Sequence, residues 1–521
     1  MLTKKYMLFL LLAGTVLHLP AQPAVQAGKH SVTAVRADNT ANSHNPYFAS
    51  PVAETIPLPV KRFLALPCMK GATFGLSVKD LSTGQEVYAY DSGLQVTPAS
   101  VMKTVTTATA LEVLGKEYTF PTVLEYDGKI VDGVLDGNLY VRGSGDPTLG
   151  SRHLKDTPPC DFLQPWLKAV RKAGIKQIKG AVVADESCFD QQGLSWKWVN
   201  EDLGSYYGAG SYGITVFDNN YTIRLQTGDS GSVPVIKQVQ PRIGLTFHNR
   251  LRCISGKAGE YYISGVPFGN ERYLLGTVPS KRESYPLKGD IPDPALFLAE
   301  YVTGFLCEQG ISVEKEPSCY RLLQEKGTWH PAKRTELVTT FSPSLDTIVR
   351  ITNEVSQNLY ADILLKTIGI RYASSLAGKP EPVSSFEKGT EAVKEYWEQQ
   401  GLDVASLWMY DGSGLAVTDK LSAGFLTDLL VYMRTRSANG ETFYASLPLA
   451  GQEGSVKNFL KGTKLQGNAR LKSGSMSRVR SYAGYIESGG REYAVALVVN
   501  QYGCEGKEIT REIERLLTAL F

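Results

Sequence analysis

Apolar positions along this chain change their period from one stretch to the next. Near the front, T-F-G-L-S-V-K-D and E-V-Y-A-Y-D flank an L-S-T-G-Q turn, which predicts two strands, Thr73 to Asp80 and Glu86 to Asp91. A helix-forming run follows, with Pro98 ahead of it and Gly115 closing it after Leu114. From about 120 to 330 the texture is short strands and turns: Gly137 to Leu149 ends in a tight Gly-Asp-Pro turn, Ile178 to Asp185 is a strand, and Trp196 to Gly210 is an aromatic, glycine-rich loop. Helical spacing returns after Pro294, over Val355 to Gly369, and over Phe386 to Gln400. The end is the most regular part. Arg470 to Ser475, Ser481 to Glu487 and Glu492 to Asn500 predict three strands with short connections, and Ile509, Ile513, Leu516, Leu517 and Leu520 line one face of a last helix. Two strands at the front and three at the back predict one antiparallel sheet built from both chain ends, an α/β (α+β) fold with a helical region and a large, mostly β insertion between them.

Composition narrows this picture. With 521 residues there is material for several domains and a sizeable core. A net charge of +3, from 55 Lys+Arg against 52 Asp+Glu with no long basic block, gives no reason to expect nucleic acid as a partner. Lys4 and Lys5, the apolar run Tyr6 to Leu19 and small residues up to Ala27 follow the order of a secretory signal, so residues 1–27 are expected to be removed and 28–52 to form a leader. No later run is long and apolar enough to span a bilayer, so the mature chain is expected without a transmembrane anchor, in a periplasmic or extracytoplasmic setting. Seven cysteines make an odd set, in which Cys307 and Cys319, or Cys160 and Cys188, are near enough in sequence to pair. The histidines are scattered, and neither a metal nor another cofactor is expected.

Chemistry enters through three short segments. In P-A-S-V-M-K, Ser100 and Lys103 are three residues apart at a helix start, so a hydroxyl and an amine share a face above unpaired N–H groups. On its own such a pair is a cap and a solvated lysine. A serine nucleophile needs a base, and no histidine here adjoins a suitable motif, so Lys103 would have to be neutral near pH 7. Burial and a second cation would do that. Lys472 in K-S-G-S is the candidate cation; Ser473 offers a hydroxyl to a carboxylate, and Gly474 would let a substrate backbone lie against the strand. In S-Q-N, Ser356 can relay a proton and Asn358 can bridge the amine and a substrate carbonyl.

The order S-x-x-K, S-x-N, K-S-G resembles the motif set of penicillin-recognising serine enzymes. Together with G-N-L-Y-V-R-G-S-G-D-P-T-L, Y-Y-G-A-G, Y-D-G-S-G-L (Tyr410 to Leu415) and S-L-P-L-A-G, it resembles the class C, low-molecular-mass penicillin-binding proteins, the PBP4-type peptidase S13 family. The resemblance implies a β-lactamase/transpeptidase-like domain from 53–120 and 331–521, carrying an insertion over 121–330. It implies a serine D-Ala-D-Ala carboxypeptidase/endopeptidase of peptidoglycan stem peptides, acylated by β-lactams and needing no cofactor. Ser100 would be the nucleophile, Lys103 its base, Ser356 the proton relay and Asn358 an orienting group. Lys472 and Ser473 would hold the terminal carboxylate, and the N–H groups of Ser100 and Ser475 the oxyanion. Asp202 would meet the peptide's amino group, unless it is a solvated surface residue. The chain departs from the family in reading K-S-G-S for K-T-G-T, and Ala416-Val417 where Ser-Arg is frequent, which predicts altered reading of the stem peptide's side chain. The rival readings are a β-lactamase and a non-catalytic peptidoglycan- or β-lactam-binding protein.

Overall fold

A computed structural model gives the structure of residues 56–256, 259–372 and 384–521; the expected signal segment and the leader lie outside the described residues. Helix α1 (Leu58–Leu64) precedes β1 (Thr73–Asp80) and β2 (Glu86–Tyr90). At the other end come β3 (Ala469–Met476), β4 (Val479–Ser488) and β5 (Arg491–Asn500). They form one antiparallel sheet in the order β3-β4-β5-β1-β2, with Thr73 opposite Asn500 and Asp80 opposite Tyr493. The sheet expected from both chain ends is therefore present.

Alternation explains how it is covered. Phe74, Leu76 and Val78 of β1 and Val495, Leu497 and Val499 of β5 point to one face, where they meet α1 and the final helix through Ile509, Ile513, Leu516 and Leu517. The opposite face presents Ala483, Ala494 and Ala496. Small side chains there let a helix approach closely. Of α2 (Met102–Leu114), α3 (Leu345–Glu354), α4 (Asn358–Tyr372), α5 (Ser385–Gln399), α6 (Ala423–Thr435) and α7 (Gly440–Ser446), which share the core on this side, α6 lies directly on the sheet, with α8 (Gly506–Leu520) on the first face. Helices α2 and α4 are buried nearly all round. Such helices carry no amphipathic stripe; α2 instead has threonines whose hydroxyls return to backbone carbonyls, Thr107 to Lys103 and Thr109 to Val105, at 2.7 Å each.

Residues between α2 and α3 pack around their own core, which includes Trp166, Tyr221, Ile223 and Leu298. One of their sheets runs Ser318–Cys319, Val182–Asp185, Leu139–Arg142, Pro121–Tyr126, Thr335–Phe341, so strand pairing carries this region on to Phe341. The strand expected over Ile178 to Asp185 is split between two sheets: Gln177–Ile178 pairs with Val134 and Leu135, and Val182–Asp185 with Leu139–Arg142. The helix expected from Val355 begins only at Asn358, because Ser356 has φ 60° and breaks the run between α3 and α4.

Candidate active site

Ser100 sits in a 3₁₀ turn, Ala99–Val101, that feeds straight into α2. Ala99 takes φ 50°, a conformation a Cβ-bearing residue keeps only when its surroundings enforce it. The sheet does so. Ser481 of β4 donates to the Pro98 carbonyl at 2.6 Å, while Asn500 of β5 accepts from Thr97 N at 2.8 Å and donates to Thr97 O at 3.0 Å. Lys103, one turn on, is fully buried. Its Nζ donates to Ser100 Oγ at 3.0 Å, Asn358 Oδ1 at 2.6 Å and the Ser413 carbonyl at 2.7 Å, three acceptors for the three protons of an ammonium. Burial pulls its pKa down to about 8, against the opposing pull of Asp362, Asp411 and Asp419.

The second and third segments converge on the same place. Lys472 Nζ, also without solvent exposure, donates to Ser356 Oγ at 2.9 Å and to the Ser473 carbonyl at 2.7 Å. Burial drives its pKa well below the lysine range, and the nearby Lys103 adds repulsion. The repulsion between the two amines thus falls on Lys472 rather than on Lys103, which has carboxylates to offset it. Asn358 faces both ways, accepting from Lys103 and donating through Nδ2 to the Tyr207 carbonyl at 2.9 Å. Ser473 Oγ lies 2.9 Å from Ser455 Oγ.

Gly474 has a structural purpose of its own. A Cβ there would lie 2.2 Å from Ser481 Oγ, 2.8 Å from the Pro98 carbonyl and 3.0 Å from Ser100 N. The missing side chain lets the nucleophile turn press against β3. Asp202 is 7 % exposed, so the solvated-surface alternative is overturned; it ends a short 3₁₀ turn, Asn200–Asp202, in the cleft wall, where burial lifts its carboxyl to about 6.

A cleft of about 710 Å³ opens over these groups. Ser100, Ser356, Asn358, Ser475 and Asp202 line it, with the two amines just beneath. Behind Lys103 stands a polar layer that sequence reasoning missed. Asp411 accepts from the N–H groups of Ser413, Gly414 and Ala416 at 3.0, 2.6 and 2.7 Å, and from the Trp198 indole at 2.7 Å. Asp362 accepts from Gly412 N at 2.9 Å and Asp419 from Tyr410 N at 2.8 Å. Burial, then the Asp411 charge, pushes both of these carboxyls well above the usual range. Further along α4, buried Lys366 donates to the carbonyls of Gln192 and Ser211 at 2.6 Å each. The available signal was Asn358, Asp362 and Lys366 at four-residue spacing inside an otherwise apolar helix.

All seven cysteines are free; Cys160 contacts the Tyr301 hydroxyl at 3.3 Å and Cys188 the Gly213 carbonyl at 3.5 Å. No described group of three or more His, Cys, Asp or Glu residues is arranged to hold a metal ion, and no described helix is long and apolar enough to cross a membrane.

Comparison with known proteins gives a consistent result. Residues 59–520 match the family described as D-Ala-D-Ala carboxypeptidase 3 (S13). The chain is 28% identical over 453 residues to the D-alanyl-D-alanine carboxypeptidase of Actinomadura sp. (strain R39), covering 83% of this chain and 79% of that one. It is 25% identical over 440 residues to the D-alanyl-D-alanine carboxypeptidase DacB of Haemophilus influenzae, covering 83% and 86%. Its fold is similar to the crystal structure of penicillin binding protein 4 (dacB) from Haemophilus influenzae, with a TM-score of 0.74 at 23% identity over 88% of this chain and 98% of that one.

Proposed function

The chain belongs to the D-Ala-D-Ala carboxypeptidase 3 (S13) family and is a serine-type D-Ala-D-Ala carboxypeptidase, and from that premise we propose how its own residues carry out the reaction. Ser100 Oγ attacks the carbonyl carbon of the penultimate D-Ala while its proton passes to a neutral Lys103 Nζ, 3.0 Å away. The N–H groups of Ser100 and Ser475 receive the oxyanion. As the C–N bond breaks, the departing amine takes a proton from Ser356 Oγ, which is resupplied from Lys472, its donor at 2.9 Å. The proton held by Lys103 then passes across the cleft to Lys472, restoring both amines; water attacks the acyl-enzyme, gives a proton to the neutral Lys103, and that proton passes to Ser100 Oγ as the ester bond breaks.

The peptide's terminal carboxylate lies against Lys472 and Ser473, and its amino group meets Asp202. A cross-link presents the same carbonyl with a longer leaving amine, so endopeptidase cleavage uses the same acyl-enzyme. A β-lactam forms the same ester by ring opening. The division into a catalytic unit and an insertion belongs to this reading, with the expected boundary at 330 moved to Phe341, whose strand pairs inside the insertion, as does an extracytoplasmic location facing peptidoglycan.

The observation that carries the proposal is the meeting of Ser100, Lys103, Asn358, Ser356 and Lys472 through contacts of 2.6 to 3.0 Å, from three distant parts of the chain. Mass spectrometry after incubation with benzylpenicillin tests it. A long-lived adduct on the wild type and none on Ser100→Ala is the expected result. Rapid turnover of the drug would point to a β-lactamase, and the absence of both adduct and D-Ala release to a non-catalytic binding protein.

A further inference from the structure

Antiparallel pairing of β1 with β5 sets Thr73 opposite Asn500, so the residues entering β1 and those leaving β5 meet at the same end of the sheet. A cysteine stands in each of these two stretches. Cys68 is the buried middle residue of a 3₁₀ turn, Pro67–Met69, between α1 and β1, and Cys504 lies between β5 and α8. The register brings them together. The Gly503 N–H donates to the Cys68 carbonyl at 2.8 Å, and a Cβ on Gly503 would lie 4.0 Å from Cys68 Cα. The Cys504 thiol is in hydrogen-bonding contact with the Cys68 thiol, and both pack on the core that holds Phe74, Val499 and Ile509. Cys160 and Cys188, by contrast, contact a tyrosine hydroxyl and a backbone carbonyl.

The place of this pair bears on the site. Asn500, four residues before Cys504, makes the two hydrogen bonds that fix Thr97 ahead of the nucleophile, and Gln501 lines the cleft with φ 61°. A disulfide requires its two Cα atoms within about 7 Å, which two thiols already in contact on adjoining backbones can meet. Its ring would enclose all the chain from β1 to β5. Closing so long a ring removes much of the freedom of the unfolded chain.

We propose that Cys68 and Cys504 form a disulfide in an oxidising compartment, a covalent tie between the segment entering β1 and the loop leaving β5 that secures the strand end on which the nucleophile turn is mounted. The tie goes beyond the peptidase reading and rests on the extracytoplasmic location within it. The oxidant is a second disulfide, carried by a protein or a small molecule. The half-exposed Cys504 attacks it as thiolate and expels one thiolate; the Cys68 thiolate then attacks Cys504 Sγ and expels the other. Two protons and two electrons leave the pair, and the oxidant ends as two thiols. Burial, and then Cys68, push the Cys504 thiol up to about 12, so exchange in the folded protein is slow and the bond is set as the chain folds.

The test compares the chain exported to the periplasm of a bacterial host with the same chain made in the cytosol. Each is denatured in an alkylating reagent without reductant, digested, and mapped by mass spectrometry. The exported protein should yield a linked Cys68–Cys504 peptide that reduction splits, and the cytosolic protein two alkylated peptides. The exported form should also melt a few degrees higher. Cys68→Ala and Cys504→Ala should each remove that gain, and the double variant should lose no more than either, since one bond is broken once. Alkylation of both cysteines in the exported protein, or linkage of either to another cysteine, overturns the assignment. Equal melting of the two preparations, or losses that add in the double variant, would overturn the tie. Mapping needs no activity, so failure of benzylpenicillin to acylate Ser100 would strike the peptidase reading alone.

Discussion

Lys103 and Lys472 are both lysines without solvent exposure, each donating to a serine hydroxyl at about 3 Å, yet their surroundings differ in one respect. Lys103 faces Asp362, Asp411 and Asp419 and keeps its proton up to about pH 8. Among the described residues Lys472 has no carboxylate to balance burial and the repulsion of its neighbour, so its proton is the more weakly held. In the empty cleft the proton thus favours the amine that must be neutral to act as a base. A substrate carboxylate beside Lys472 supplies the missing countercharge and raises its affinity for a proton; a charged Lys472 then drives Lys103 toward the neutral form. Two amines with unequal surroundings can in this way make base formation depend on the substrate being present.

The strongest way to break this comparison is to remove the base. Lys103→Ala should lower the rate of benzylpenicillin acylation by about a thousandfold or more, within the range of general base catalysis, as seen in the growth of the adduct mass with time. Undiminished acylation would mean another group takes the proton. Lys472→Ala should be milder and selective: kcat/KM should fall roughly ten- to a hundredfold further for peptides with a free C-terminal carboxylate than for their C-terminal amides, which lose only the resupply of the Ser356 proton. Equal losses on both would remove the carboxylate from Lys472.

The smallest effect sharpens the comparison. Since only neutral Lys103 accepts the Ser100 proton, acylation by an uncharged serine reagent should rise with pH, about tenfold per unit below Lys103's pKa of about 8, and then level off. With benzylpenicillin, which carries a carboxylate, the same limb should shift to lower pH. Coincident limbs for the two reagents would separate the amines and dissolve the coupling argued above.

Much of this was legible in the chain. The inner strands of the main sheet read as nearly continuous apolar runs because both of their faces are covered, and Ser100, Lys103 and Lys472 stand in short local patterns. What was hidden depends on contacts between distant segments. Nothing near Asp411 announces that the Trp198 indole will satisfy it from more than two hundred residues upstream. The purpose of Gly474 lies in how tightly the Pro98–Ser100 turn is drawn against β3, a distance no local pattern encodes. Asp202, in a polar stretch beside Glu201, gave no sign of being buried. Ser356 was placed near a helix start, but its left-handed backbone, which turns the hydroxyl toward Lys472, follows from the packing of α3 and α4.

The polar line along α4 has a consequence for anyone wishing to shrink this enzyme. Asn358 and Lys366 donate to carbonyls of Tyr207, Gln192 and Ser211, and Asp411 relies on Trp198, all supplied by the long excursion between α2 and α3. Cutting that excursion out would take both carbonyl acceptors from the Lys366 amine, a loss of about 3–5 kcal/mol for an uncompensated buried charge, and one of the four donors from Asp411. The smallest viable version of the catalyst therefore keeps the detour, and what reads as an appendage in chain order is a wall the reaction chamber cannot stand without.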